Sequence, residues 1–432
     1  MKINCITIEN FRGYKSLNLD FDPSFNLIIG DNGSGKTALL EALTVAMGSF
    51  FLGIRNANSR PIYKKDIHIA TLDFNEEYVF PVRIEACGTI MGDSIIWARS
   101  LNGTNNRTNA IEAKELISIA KLMDYKVRKG EMVELPLLTY YATGRLFDEA
   151  RDMEVKDIGE QTNKDISSRF RAYSRCLEAK STHKQFQKWF RGKELARIQR
   201  NQYDISLELV KKSLVDNLPY CKNIYFEFDP DKPQGLKIEL TDGRILPFNM
   251  LSDGTRNFFA IVADIAYKCV TLNPHLQEYA LEKTEGIVLI DELDLHLHPE
   301  WQRKIVHVLK NTFPSIQFIA STHSPFLIQE TGPEQLIILK NSQLDDISSA
   351  NNLSIEDIAE DIQHVENPQW SKSRQEMFTI AGEYYKAVKE GKDTPEMKVK
   401  LDEVMKPFAQ DTAFYAIVEQ EKIIQEYKKN KQ

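Results

Sequence analysis

Hydrophobic positions along this chain fall into two rhythms, one of strands and one of helices. Ile3, Ile6 and Ile8 begin a strand, and Leu17, Leu19 and Phe21 alternate with Asn18 and Asp20 as a half-buried strand does. Phe25, Leu27, Ile28 and Ile29 form a short apolar run that reads as a buried strand, and Ala38–Val45 continues as a helix former. Strand-like patterning returns over 71–101, with Tyr78, Phe80, Val82, Ile84, Ile95, Ile96 and Trp97, and predicts an antiparallel sheet. A polar loop over 102–109, a helix over 110–123 and a buried strand over 135–141 follow.

Past residue 150 the pattern shifts. No proline interrupts 161–216, so helices are the natural reading there. Strands are expected again at 224–228, 236–240, 245–246, 286–292 and 316–320, with a helix over 257–270 among them. Beyond Asn341 the spacing turns helical over 354–365, 371–390, 395–406 and 411–428, and the lysine-rich end after Lys428 reads as frayed. The expected architecture is α/β in four segments. Two strand-bearing lobes, 1–150 and 221–340, are separated by a helical insertion, 151–220, and followed by a helical region, 341–432.

The candidate chemistry sits where strands end. Gly30-Asp31-Asn32-Gly33-Ser34-Gly35-Lys36-Thr37 fits G-x-x-x-x-G-K-[ST] between a strand and a helix. Its glycines let successive backbone N–H groups converge on one anion, and the helix opening at Ala38 sets a positive end beneath it. Lys36 would reach the β- and γ-phosphates of a nucleotide, and Thr37 would offer its hydroxyl to Mg²⁺. Gly286–Glu292 is an apolar strand ending in two carboxylates. Asp291 suits the water shell of the Mg²⁺, and Glu292 suits polarising an attacking water. His323 follows another strand, where an imidazole could contact the γ-phosphate and place that water. Ser252 and Gly254, at the start of a helix, make a second phosphate-binding surface. For Arg12 a phosphate contact and a solvated turn weigh equally, whereas Arg145 reads somewhat better as a surface salt bridge than as a phosphate sensor. His296 and His298 lie two apart, not at the i, i+4 zinc spacing.

Composition narrows the setting. A chain of 432 residues, 42% hydrophobic and 27% charged, has an ordinary globular make-up. Its formal charge of −7 argues against general coating of polyanions. The region 161–216 nevertheless carries 13 lysines and arginines against 6 acids, with Phe186, Trp189, Phe190 and Tyr203 among them. Arg191, Lys193 and Arg197 are thus candidates for contact with DNA or an acidic partner, against the plainer reading of an aromatic hairpin core with a solvated face. The five cysteines are scattered, and neither a disulfide frame nor a zinc site follows from them. With no secretory pattern at the N-terminus and no membrane span, a cytoplasmic protein is expected.

Taken in order, Gly30–Thr37, Leu251–Thr255, Asp291-Glu292, Leu293-Asp294 and His323 resemble the Walker A, signature, Walker B, D-loop and H-loop motifs of an ABC-class ATPase. The opening IENFRGYKSL and the run DELDLHLHP are similar to the branch containing RecF, structural-maintenance (SMC) and OLD-type proteins. The stretches YYATGR, LSDGTRNFFAIVADIA and GEYYKAVKEGKDTPE resemble the PtuA ATPases of Septu and retron-associated antiphage systems. This resemblance implies an ABC-type head with an antiparallel β subdomain. It also implies ATP and Mg²⁺ as ligands and a head-to-tail homodimer or higher oligomer, in which Ser252, Asp253 and Gly254 of one copy face the nucleotide of another. A separate HNH-type, PtuB-like nuclease would be the partner.

Two departures stand out. Asp253 replaces the first glycine of the usual transporter signature, bringing an acid near a γ-phosphate. After His323 the acidic cluster of a Toprim nuclease is missing, and Asp345-Asp346 alone does not supply one. The motif set leaves open two other readings, a RecF-type ATP-dependent DNA-binding clamp and an ATP-sensing scaffold with little hydrolysis.

Overall fold

The computed structural model describes all residues except 73–74, 145–168, 179–182, 219, 345–353, 364, 367 and 409–432. Arg145, Asp345-Asp346, the helix expected over 411–428 and the lysine-rich end lie outside the described residues. The described chain divides into two units, Met1–Leu353 and Ser354–Gln432.

In the first unit, β1 (Lys2–Phe11), β2 (Tyr14–Asp20), β3 (Phe25–Gly30) and α1 (Lys36–Phe51) come first. A small hairpin, β4 (Ile69–Leu72) and β5 (Asn75–Tyr78), precedes β6 (Val82–Ile90) and β7 (Asp93–Leu101). Then come α2 (Lys114–Arg128), β8 (Leu137–Tyr141), α3 (His183–Arg200) and α4 (Ile205–Asn217). A three-stranded antiparallel meander of β9 (Cys221–Glu227), β10 (Gly235–Leu240) and β11 (Ile245–Pro247) leads into α5 (Asp253–Leu272) and a short α6 (Ala280–Lys283). The unit closes with β12 (Gly286–Ile290), α7 (Pro299–Thr312), β13 (Ile316–Ser321), α8 (Pro325–Gln329), β14 (Leu336–Lys340) and β15 (Gln343–Leu344).

Two larger sheets form from these strands. One is antiparallel in the order β2-β1-β6-β7. Along β6 burial alternates at every residue, so Val82, Ile84, Ala86 and Ile90 face inward. The other sheet runs β15-β14-β3-β13-β12-β8, and its five long strands are parallel. Its strands β8, β12 and β13 are buried at every position, as a sheet covered on both faces requires. Helix α1 touches strands of both sheets and is apolar nearly all round, which is why Leu39, Leu40, Leu43, Val45 and Met47 are all buried. Trp97 of β7 fixes this packing by donating its indole N–H to the Ala46 carbonyl at 3.0 Å.

Three features depart from the sequence reading. β14 was not expected, and it pairs in parallel with β3. The expected helix over 110–123 begins as a 3-10 turn at Ile111–Ala113 and extends to Arg128 as α2. No disulfide follows from the spacing of the cysteines, yet Cys5 and Cys87 stand opposite each other on β1 and β6 and are joined in one. Cross-strand register brings them together, which spacing along the chain does not reveal. Cys176, Cys221 and Cys269 are buried free thiols.

The second unit is built on α10 (Lys372–Glu390) and α11 (Pro395–Met405), preceded by α9 (Ile355–Asp357) and a π turn over Ile358–Ile362. Ser371 and Thr394 cap the two helices, Pro395 opens α11, and Gly391 ends α10 at φ 69°. Met377, Ile380, Ala381, Tyr384 and Val388 of α10 close over Leu401 and Met405.

Candidate nucleotide site

The parallel sheet places β13 between β3 and β12, so the carboxyl ends of these three strands lie side by side. Open α/β sheets present their ligand sites at this edge. Between β3 and α1 the loop 30–35 turns back on itself, with Ser34 N donating to Asp31 O at 3.1 Å. Gly35 caps α1 at φ 102°, a conformation side chains avoid, and Tyr14 donates its hydroxyl to the Gly35 carbonyl at 2.9 Å. Lys36 Nζ donates to the carbonyls of Gly30 (2.8 Å) and Asp31 (2.9 Å). Burial lowers the Lys36 pKa, with Asp291, Asp31, Glu292 and Asp294 pulling it back upward.

Across the sheet, Thr37 Oγ1 donates to Asp291 Oδ2 at 2.9 Å. Asp291 is buried, and Ser321 donates to its Oδ1 at 2.6 Å. Glu292 stands at φ 48°, with its backbone N–H held by Ser321 Oγ at 2.8 Å. Beside Ser321, Thr322 Oγ1 donates to Asp294 Oδ1 at 2.5 Å, and His323 N reaches the same oxygen at 3.3 Å. The His323 pKa is lowered, first by burial and then by the charge of Lys36. Thus Lys36, Thr37, Asp291, Glu292 and His323, distant in sequence, share one site.

Arg12 lies on the same side of the fold but is occupied by carboxylates. Its Nε donates to Asp66 Oδ1 at 3.0 Å and its guanidinium also engages Glu41. Arg60 completes the network, reaching Asp66 Oδ2 at 3.0 Å and Glu41 at 2.5 Å. Glu41 sits one turn beyond Thr37 on α1. The sequence offered no sign of this network, because Arg60 and Asp66 fall in an irregular stretch without periodicity.

Ser252 caps α5 by accepting from Thr255 N, as its position before a helix suggests. Asp253 is exposed and paired with Arg256 one turn along. A Cβ on Gly254 would stand 2.2 Å from the His296 carbonyl oxygen, so only glycine lets this turn lie against the segment after Glu292. Asn257 reinforces that contact by donating to Leu295 O at 2.8 Å. Ser252, Asp253, Thr255, His296, His298 and Trp301 line a cavity of about 420 Å³ here.

On α3, Phe186 and Phe190 are buried and Trp189 packs on Tyr267 of α5. Lys193 donates to Asp204 at 2.8 Å, Arg197 to Glu194 at 2.9 Å, and Arg191 lies over the Phe226 ring. Among the described residues no helix is long and apolar enough to cross a membrane.

These features define a P-loop ATPase with an ABC-type head, and sequence comparison agrees. Residues 5–222, half of the chain, match the AAA-domain family, and the chain belongs to it. A second AAA-domain family, described as a putative AbiEii toxin of a Type IV toxin–antitoxin system, matches 153–329. Among curated proteins, the chain is 29% identical to the retron Ec83 probable ATPase of Escherichia coli, over 79% of this chain and 72% of that protein. It is 28% identical to the retron Vc95 probable ATPase of Vibrio cholerae, over 78% and 73%. Septu protein PtuA of Bacillus thuringiensis is 25% identical over 77% and 74%. The SMC head bound to the C-terminal winged helix of ScpA aligns at 15% identity with a TM-score of 0.45, covering 80% of this chain and 98% of that one.

Proposed function

We propose that the chain is an ATPase that controls a separate nuclease within a cytoplasmic antiphage defence complex. The observation that carries the nucleotide part of this reading is the Thr37–Asp291 hydrogen bond beside Lys36. Gly30, Asn32, Gly33, Ser34, Gly35 and Ala38 would cradle the phosphates, and Lys36 would exchange its loop carbonyls for phosphate oxygens.

Magnesium fits the donor set. A hydroxyl and a carboxylate are hard oxygen ligands, and acids around Lys36 would repel a triphosphate without a divalent cation. Thr37 and Asp291 would hold it; when bound, it neutralises phosphate charge. Glu292 would orient and polarise the attacking water, and His323, neutral because its pKa is lowered, would accept a hydrogen bond there.

Ser252 and Asp253 are exposed where α5 begins, with Gly254 half-buried beside them, so a second copy, placed head to tail, would complete the nucleotide site with them. The relatives named for retron and Septu systems support the defence setting, and an HNH-type partner would supply the nuclease. The test is ATP turnover with and without the neighbouring nuclease. Lys36→Ala and Glu292→Gln should abolish both turnover and phage protection, and normal turnover in both variants would overturn the assignment. A mixture of Lys36→Ala and Ser252→Arg chains should regain partial turnover if the site is shared between copies.

A further inference from the structure

Ser321 ends β13, is fully buried, and uses its hydroxyl in both directions. Its Oγ accepts from Glu292 N at 2.8 Å and donates to Asp291 Oδ1 at 2.6 Å, while its carbonyl accepts from Leu293 N at 2.8 Å. Because an amide N–H can only donate, the hydroxyl proton is committed to Asp291. One serine therefore touches three successive residues of the acidic turn. Glu292 needs such a hold, since φ 48° lies in the left-handed region that long side chains rarely occupy.

We propose that Ser321 is a positioning residue of the nucleotide site, acting on both carboxylates that serve it. It holds Oδ1 of Asp291, which Thr37 reaches at 3.2 Å, and so fixes the carboxylate with Oδ2 nearer to Thr37, at 2.9 Å, and available to the shell of a bound Mg²⁺. Through the backbone of Glu292 it fixes the direction in which that side chain leaves the turn. The inference rests on the Mg²⁺–ATP reading of the site. Its mechanism is that of an outer hydrogen-bonding partner, whose loss typically weakens metal affinity or activity about 10- to 100-fold.

The test uses full-length wild-type protein, Ser321→Ala and Ser321→Thr, with three readouts. These are the Mg²⁺ concentration giving half-maximal binding of a fluorescent ATP analogue, its affinity in EDTA, and kcat and KM for ATP. Ser321→Ala should raise half-saturating Mg²⁺ and lower kcat, each about 10- to 100-fold. Affinity in EDTA should stay unchanged, and Ser321→Thr should restore much of the loss. If the alanine chain does not fold, Ser321→Cys, with its weaker donor, replaces it in the same comparison and should give a partial shift. Wild-type Mg²⁺ dependence in Ser321→Ala, or an equal loss of EDTA affinity, would overturn the proposal. Wild-type protein that binds the nucleotide with Mg²⁺ without hydrolysing it would remove the catalytic reading, and the Mg²⁺ dependence would still decide the role of Ser321. Wild-type protein that binds no nucleotide would overturn both.

Discussion

The hydroxyl of Thr37 meets the carboxylate of Asp291 at 2.9 Å although 254 positions separate them in sequence. One residue opens the helix after β3 and the other follows β12, and the two strands are held apart only by β13. Replacing Thr37 with Val keeps the shape and removes the hydroxyl. The loss of one polar contact to a charged partner, here the Mg²⁺ that the Thr37 hydroxyl would hold, at about 1.5–3 kcal/mol corresponds to roughly a 10- to 150-fold weaker affinity for ATP with Mg²⁺. Titration of a fluorescent analogue in Mg²⁺ and in EDTA checks this, with the loss expected only in Mg²⁺.

Glu292→Gln preserves size and one acceptor oxygen but cannot take a proton. Phosphate release should fall by about 10²–10⁴-fold while the nucleotide still binds. Direct phosphate detection with parallel binding measurements separates these effects, and a proportional loss of both would point to a structural role instead.

The depressed pKa of His323 sets the direction of a pH effect. Between its folded value and the ordinary 6.5, the unfolded chain binds more protons than the folded one. This histidine's contribution to stability is therefore fully present above 6.5 and is lost as pH falls toward and through the folded value. Turnover should likewise hold through pH 6.5 and fall only at lower pH, where Lys36 and His323 would both be charged. A pH–rate profile breaking at or above 6.5 would contradict this.

Asp66 has no exposed side-chain surface and answers to two arginines, Arg12 and Arg60. Removing Arg60 leaves Arg12 alone to face both Asp66 and Glu41, so the cost should stay below the figure of about 3–5 kcal/mol for a buried charge stripped of its partner. Arg60→Ala should shift a denaturant midpoint accordingly. Arg83→Ala, at a more exposed ion-pair site, should cost under about 1 kcal/mol.

Lys193 and Arg197 already have carboxylate partners, and Arg191 rests on an aromatic ring. The Arg191→Ala, Lys193→Ala, Arg197→Ala variant should therefore bind duplex DNA with the affinity and salt dependence of the wild type. Each lost phosphate contact would instead flatten the log–log salt slope by about 0.9, which would favour the DNA-clamp reading.

The phosphate loop and the two carboxylates after Ile290 were legible because each is a contiguous signal flanked by its own strand. Ser252 was legible as a helix cap. Ser321 was not, since a serine beside a histidine has no periodicity and its partners arrive from a different strand. The Cys5–Cys87 pair and the Arg12–Glu41–Arg60–Asp66 network depend on register and loop placement, which sequence pattern does not encode. Leu336, Ile337, Ile338 and Leu339 of β14 form an apolar run of the length a buried strand needs, and so carry a signal that the sequence reading leaves unused.

Asn341 and Ser342 form the turn between β14 and β15, both at positive φ, and Ser342 N donates to the Ser34 carbonyl at 3.2 Å. A Cβ on Gly35 would stand 3.3 Å from the Ser342 hydroxyl, so the turn backs the phosphate loop closely. A change at Ser342 would therefore be felt at the backbone of Ser34, so the grip of the loop depends on a hairpin that lies more than 300 residues away in sequence.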